Sequence, residues 1–343
     1  VIIVGVCVFY NYSLLPVSNS NDIVEIEIPK HTTTKGIANI LKENQLIRDE
    51  RIFLIYVKLM KVNDMKAGYY DIPKNTGVKN IVSLLREGSK KNPNEIEITF
   101  KEGITMRDIA KVISEKTNNA YDSVIEKAND TTYIDSLIQK YWFITEEVKN
   151  DSIYYKLEGY LFPDTYRFNS SDVSVEEIFN KMIQEMDKVL TPFKTDMEKN
   201  NLSIHKLLTL ASMVEKEAAT EDVRSKVASV FINRLNSNMS LGSDVTTRYA
   251  FKIDNPKQVL TKGQYNTRNP YNTRVTDGSM NGKLPIGPIC TLSESSIKAS
   301  IYADNTNYLY FIANIQTLET FFYSNINEFN TKKNELQSVN GGF

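Results

Sequence analysis

Apolar and acidic side chains alternate along IVEIEIP (23–29), the period-two pattern of a half-buried strand. A polar turn carrying Thr32 to Thr34 follows. KGIANILKENQL then sets Ile37, Ile40 and Leu41 on one helical face. RIFLIYVKLM predicts a second helix through Phe53, Tyr56, Val57 and Met60. AGYYDIP (67–73) predicts a strand, and VKNIVSLLREG (78–88) a helix that stops on Gly88. Together these make a small α+β unit over residues 21–90. The segment GSKKNPN (88–94), rich in Gly, Pro, Asn and Lys, reads as its boundary.

The pattern then restarts. NEIEITF (94–100) predicts a strand, and Thr105 stands three residues before Asp108 at the head of a helix, a capping arrangement. Strand, Thr-bearing turn and helix in both places read as a weak internal repeat. Residues 120–150 read as helical, so 91–157 forms a second, connecting unit. From 158 the character changes: EGYLFPDTYRF (158–168) gathers four aromatics around a Pro-Asp turn. A helix is predicted over about 175–190 and a long helical pair over 203–236. The last hundred residues, rich in Tyr, Asn, Thr, Gly and Pro, read as loops and short strands, YLYFIAN (308–314) among them. The fold class is therefore α+β, with a helix pair and a loop-rich C-terminal part in the third region, 158–343.

The first residues, VIIVGVCVFY, are apolar and lead into the polar linker NYSLLPVSNSND. Ten apolar residues are too few to cross a bilayer, which takes about 20. The outer half of a membrane anchor, a signal-peptide remnant and an edge strand all fit. No small-residue cleavage site follows, which favours an anchor with linker over residues 1–20.

Composition narrows the chemistry. Lys and Arg number 41 against 42 Asp and Glu, so no global charge draws the chain to nucleic acid. Cys7 and Cys290 are the two cysteines and form no CxxC pair; His31 and His205 are the two histidines. That is too few ligands for most zinc sites. No metal or cofactor is expected.

Carboxylates are the remaining candidates. In the helix through 204–218, Leu207, Ala211, Val214 and Ala218 fall on one face at about 100° per residue. Glu217 sits at one edge of that face and Glu215 at the other. A carboxylate beside an apolar wall loses hydration when ionised, so its pKa rises. A general acid working at neutral pH needs that rise. The same residues also read as an ordinary solvated helix end. Asp244, in LGSDVTTRYA (241–250), reads as a second acidic group or as an Asx turn or helix N-cap. Glu158 and Asp164 flank the aromatic cluster and suit either sugar hydroxyls or a turn with its cap. NPYNTR (269–274) holds Tyr271, Asn272 and Thr273 in a rigid polar loop, fit to stack on and hydrogen-bond to sugar rings or to serve as loop scaffolding.

Taken in series, LEGYLFPDTY, ASMVEKEA, KVASVFINRL, SDVTTRYA, PYNTR, LPIGPI and YLYFIAN resemble, in order and spacing, the MltG/YceG-like endolytic murein transglycosylases. The resemblance spans roughly residues 25–335. It implies an enzyme anchored by one N-terminal membrane helix, facing outward from the cell membrane, with a LysM-like unit ahead of the catalytic region. It implies that Glu217, the second glutamate of the V-E-K-E motif, cuts nascent peptidoglycan between N-acetylmuramic acid and N-acetylglucosamine. Glu217 would act as acid and then base and leave 1,6-anhydromuramyl ends. Glu215 would support it, with Asp244, Tyr271 and Asn272 steadying the charged intermediate. Glycan strands and the cell-wall synthases (penicillin-binding proteins) are the implied partners. The chain departs from the family by a short insertion around Ser279 to Lys283 and by Ile286 in place of a proline. TLS (291–293) replaces a usual N-P-G, and Thr320 and Phe329 stand where histidines are common. A hydrolase using Asp244 as second carboxylate, and a non-catalytic wall-binding scaffold, are the rival readings.

Overall fold

The computed structural model describes residues 2–89, 92–255 and 257–337. Lys90 and Lys91, in the boundary segment read from the sequence, and the last six residues of the third region lie outside the described residues. Contacts gather into two units, Val1–Glu95 and Ile96–Phe343.

The first unit pairs β1 (Ile23–Ile28) antiparallel with β2 (Gly68–Pro73), with Ile26 opposite Tyr70. Ile26 and Ile28 turn inward while Glu25 and Glu27 face water, as the alternation requires. An apolar helix, α1 (Ile2–Leu14), precedes β1. Two helices, α2 (Thr34–Glu43) and α3 (Glu50–Leu59), lie between the strands in sequence, and α4 (Val78–Glu87) follows them. Thr33 caps α2 through the Gly36 N–H, and Asp49 caps α3 through the N–H groups of Arg51 and Ile52. Leu41, Phe53, Ile72 and Leu85 close the core. Met60 does not belong to the buried face: α3 ends at Leu59, Lys61 turns to φ +52°, and Met60 is left 58% exposed. The N-terminal segment is helical, which removes the edge-strand reading. Among the described residues no helix is long and apolar enough to cross a membrane.

The second unit opens with β3 (Ile96–Thr99), which pairs antiparallel with β4 (Thr165–Phe168), Ile98 opposite Tyr166. The aromatic turn segment thus ends in a strand that the local pattern does not announce. Residues expected in the connecting unit and in the third region share one core, with Ile98, Phe143 and Tyr160 packed in the same cluster as Phe179, Leu210 and Phe231. Between the strands run α5 (Met106–Lys116), α6 (Tyr121–Asn129), α7 (Thr131–Lys140) and a 3-10 turn, Glu146–Lys149. Then come α8 (Val175–Leu190), the short α9 (Lys194–Glu198), α10 (Ile204–Glu217) and α11 (Arg224–Asn236).

The C-terminal hundred residues hold more helix than expected. They contain α12 (Asp244–Ala250), α13 (Lys262–Asn266), α14 (Glu294–Ile301) and α15 (Ile326–Leu336), with β5 (Tyr310–Ala313) and β6 (Thr320–Tyr323) as an antiparallel hairpin. Their apolar periodicity is weak for a physical reason. In α14 the buried positions include Ser296 and Ser300, whose hydroxyls donate to Ser293 and Ser296 carbonyls and so need no apolar side chain to be buried. In α15 only Leu336 is buried.

Candidate active site

The helix α10 decides where Glu217 goes. It is buried on nearly every side, Leu208, Leu210 and Met213 as fully as the predicted Leu207–Ala211–Val214 face. Its N-terminus is fixed by Ser203, which accepts the Lys206 N–H, and it ends at Glu217, where Ala218 leaves helical geometry. The last side chain of a core helix is thereby delivered, half-buried, to a surface cleft of about 770 Å³. Ser243, Asp244, Arg234 and Arg274 line this cleft beside Glu217. Tyr310, Phe311 and Ile312 of β5, with Ile326 and Phe329 of α15, supply an aromatic and apolar lining.

The Ser243 hydroxyl donates to Glu217 Oε1 at 2.5 Å. Ser243 is itself held by the NPYNTR loop. Its N–H donates to Thr273 Oγ1 at 3.1 Å, the Gly242 N–H donates to the Thr273 carbonyl at 3.1 Å, and the Ser240 hydroxyl donates to that same carbonyl. Thr246 closes the cluster, donating to the Ser243 carbonyl at 2.7 Å. Asn272 donates to the carbonyls of Gln264, Tyr265 and Thr267 and accepts from the Thr247 hydroxyl. Tyr271 packs between the rings of Tyr154 and Tyr249, each centroid 4.8 Å away. Tyr271, Asn272 and Thr273 are all fully buried, and none of them lines the cleft. Of the three, Thr273 bonds to Ser243 and so helps to set its hydroxyl on the carboxylate.

Burial holds the Glu217 carboxyl above the ordinary carboxylate range, and the nearby Asp244 charge pushes the same way. The Ser243 hydrogen bond and the charges of Arg274 and Arg234 pull it back. Asp244, the first residue of α12, pairs with Arg274 at 2.9 Å and accepts from the Tyr265 hydroxyl at 3.5 Å. Arg234 donates from Nε to the Leu309 carbonyl at 2.6 Å and from Nη1 to the Leu241 carbonyl at 2.8 Å. Its guanidinium also lies 5.2 Å from the centre of the Tyr310 ring. Arg234 thus fixes β5 to the loop that carries Ser243.

The other predicted carboxylates do not line the cleft. Glu158 is buried and caps α5: it accepts the Met106 N–H at 2.9 Å and the Tyr249 hydroxyl at 2.9 Å, and burial pushes its pKa up to about 7. Asp164 is exposed at the start of β4, where it accepts the Thr165 N–H and its carbonyl accepts the Phe100 N–H. Glu215 pairs with Arg224 at 3.0 Å and accepts both the N–H and the hydroxyl of Ser293, locking α10 to the head of α14. His205 uses both ring nitrogens. Nε2 lies 2.8 Å from the Ile286 carbonyl, which only an N–H can serve, so Nδ1 accepts from the Tyr160 hydroxyl at 2.7 Å. Burial lowers its pKa, in keeping with a neutral ring. Among the described residues no three His, Cys, Asp or Glu side chains gather as a metal site.

Sequence reasoning missed Ser243, Arg234, Arg274 and the Tyr310–Phe329 pair. The first two lie inside recognised motifs, SDVTTRYA and KVASVFINRL, where a carboxylate or an apolar stripe drew the attention. Phe329 is one of the two positions where a histidine was expected; it lines the cleft and stacks on Tyr310 at 5.4 Å, whereas Thr320 does not line it.

Fold and site together define a class: a mixed α+β protein with a half-buried carboxylate in a saccharide-sized, aromatic-lined cleft. The chain belongs to the YceG-like family, whose model matches residues 26–335. It is 37% identical over 340 residues to the endolytic murein transglycosylase of Bacillus subtilis (strain 168), covering 98% of this chain and 92% of that protein. It is 32% identical over 342 residues to the endolytic murein transglycosylase of Streptococcus pneumoniae serotype 2 (strain D39), covering 96% of this chain and 61% of that one. A crystal structure described as a yceG-like protein of Listeria monocytogenes superposes with a TM-score of 0.64 at 34% identity, over 92% of this chain and all of that one.

Proposed function

We propose that this chain is an endolytic murein transglycosylase that cuts peptidoglycan glycan strands with Glu217 as acid and then base. The observation that carries the reading is Glu217 itself, half-buried in the cleft with its proton affinity raised and one oxygen anchored by Ser243. Ser243 occupies Oε1, which leaves Oε2 for the substrate. Protonated Glu217 gives its proton to the oxygen between N-acetylmuramic acid and N-acetylglucosamine as the bond from that oxygen to the muramyl anomeric carbon breaks. The carboxylate so formed takes the proton of the muramyl C6 hydroxyl while that oxygen closes on the anomeric carbon. Glu217 ends protonated, no water is consumed, and the product carries a 1,6-anhydro ring. The same group serves in both halves, so a proton affinity near working pH favours it. The Tyr310 and Phe329 rings offer apolar faces for the sugars.

A second reading is favoured by one observation: Asp244 lines the same cleft. Two carboxylates flanking a glycosidic bond are the usual apparatus of hydrolysis. The ion pair with Arg274 weighs against Asp244 as a base. Digestion of purified glycan strands, read by mass spectrometry, separates the readings. Anhydro ends support transglycosylation, reducing ends support hydrolysis, and a chain that binds strands but cuts none supports a scaffold. Glu217→Gln should lower the rate on the order of 10²- to 10⁴-fold; wild-type turnover in that variant removes Glu217 from the mechanism.

In the first unit, the order β1, α2, α3, β2 with antiparallel strands supports a LysM-like, glycan-holding module. The exposed apolar side chains of α1, Val6, Val8 and Phe9, support an N-terminal anchor in the cell membrane with the cleft outside the cytoplasm. Placed there, the enzyme would trim nascent strands beside the synthases. Protease added to intact protoplasts tests this placement, and a protected catalytic unit would contradict it.

A further inference from the structure

The segment 279–283 packs against the stretch 235–239. Gly282 adopts φ +61° and its N–H donates to the Met239 carbonyl at 2.9 Å. A Cβ there would lie 3.2 Å from the Asn238 Cα and 3.3 Å from the Leu235 carbonyl oxygen, so glycine, at this positive φ, suits the close approach of the two stretches of backbone. Asn238, Met239 and Asn281 line the cleft that holds Glu217. Leu235, Asn236, Gly282 and Lys283, from the same two stretches, line a second cavity of about 700 Å³. The same two stretches thus contribute to the lining of both depressions.

Both cavities carry charges of both signs, but the aromatic rings of Tyr310, Phe311 and Phe329 line the first and aliphatic side chains the second. Leu202, Leu235, Leu284 and Ile286 give it apolar surface, and Glu146, Glu147, Lys206 and Lys283 give it charges of both signs. Its walls are braced: His205 is bonded at both nitrogens, and the Ser203 hydroxyl donates to Glu147 at 3.0 Å. Apolar side chains beside charges of both signs match a ligand that is itself part apolar and part zwitterionic. The peptide stem on each muramic acid is such a ligand, since it leaves the strand sideways and combines small apolar residues with carboxylates and an ammonium group.

We propose that this second cavity binds the peptide stem of the muramyl residue held in the catalytic cleft, making the enzyme selective for strands that still carry their peptides. The proposal rests on the peptidoglycan reading of the Glu217 cleft. Lys206 and Lys283 are exposed, so both charges can be reversed without burying a new one. The test titrates the full chain, wild type and K206E/K283E, with a soluble muropeptide disaccharide and with the same disaccharide stripped of its peptide. Binding is read apart from turnover, so a failure of cleavage leaves this result standing. The wild type should bind the peptide-bearing form on the order of tenfold more tightly, and the double variant should lose that preference while binding the stripped form as before. Equal affinity of the wild type for both forms overturns the proposal. So does a double variant that weakens both forms alike, which would place sugars in the cavity.

Discussion

Replacing Ser243 with Ala isolates one hydrogen bond in the cleft. The substitution removes the hydroxyl that donates to Glu217 at 2.5 Å and keeps the backbone N–H bond to Thr273. Among the influences that favour ionised Glu217, that hydrogen bond is the largest. A hydrogen bond to a charged group contributes about 1.5–3 kcal/mol. Its loss raises the ratio of protonated to ionised Glu217 at fixed pH about ten- to a hundredfold. The sign follows. The alkaline limb of kcat/KM marks the pH at which the acid loses its proton, so in Ser243→Ala that limb moves to higher pH. The plateau falls as well, because the carboxylate is no longer held in one rotamer and the weaker acid gives up its proton less readily. The assay is the pH dependence of cleavage of defined glycan strands by wild type, Ser243→Ala and Ser243→Thr, the last keeping a hydroxyl and a limb near wild type. A Ser243→Ala limb that stays in place or moves to lower pH, in a protein with unchanged melting temperature, refutes the reasoning.

Glu215→Gln should cost stability more than chemistry. Weakening the half-buried, charge-assisted pair with Arg224 costs about 1.5–3 kcal/mol, checked by urea unfolding, and a loss under about 0.5 kcal/mol would show the pair to be idle. Glu158 keeps its proton in the folded chain up to about pH 7 but gives it up near 4.5 when unfolded. Folding therefore takes up a proton between those values, and stability falls as pH rises through them, by about 3 kcal/mol at most. Glu158→Gln should flatten the pH dependence of the thermal midpoint across that window, and an unchanged slope would assign it to other groups. Phe329→Ala should raise KM on the order of tenfold through lost apolar contact while kcat holds; a change confined to kcat would move Phe329 from binding to chemistry.

What the sequence determined by itself were the features that act over a few residues. The alternation of IVEIEIP fixes a strand, Thr105 and Asp108 fix a cap, and the apolar run through Leu207 and Val214 fixes a helix that reaches Glu217. The position of Glu217 beside an apolar face left two readings open, a carboxylate reluctant to ionise and a solvated helix end, and burial in the folded chain favours the first. What only the tertiary structure decided were pairings across long stretches of chain. Strand β4 exists because Tyr166 meets Ile98, and the helix α14 is buried through serines that bond to their own backbone. The division of labour among polar residues was decided there too. Tyr271, Asn272 and Thr273 look suited to sugar, but all three are enclosed, and Thr273 bonds to Ser243 beside Glu217. Phe329 reaches the cleft because α15 packs on the β5–β6 hairpin, and nothing in its neighbours along the chain announces this. Local patterns follow from backbone geometry within a turn or a pleat. Whether a polar side chain faces a substrate or a buried partner depends on groups that the fold brings from far away in sequence, and no local pattern carries that information.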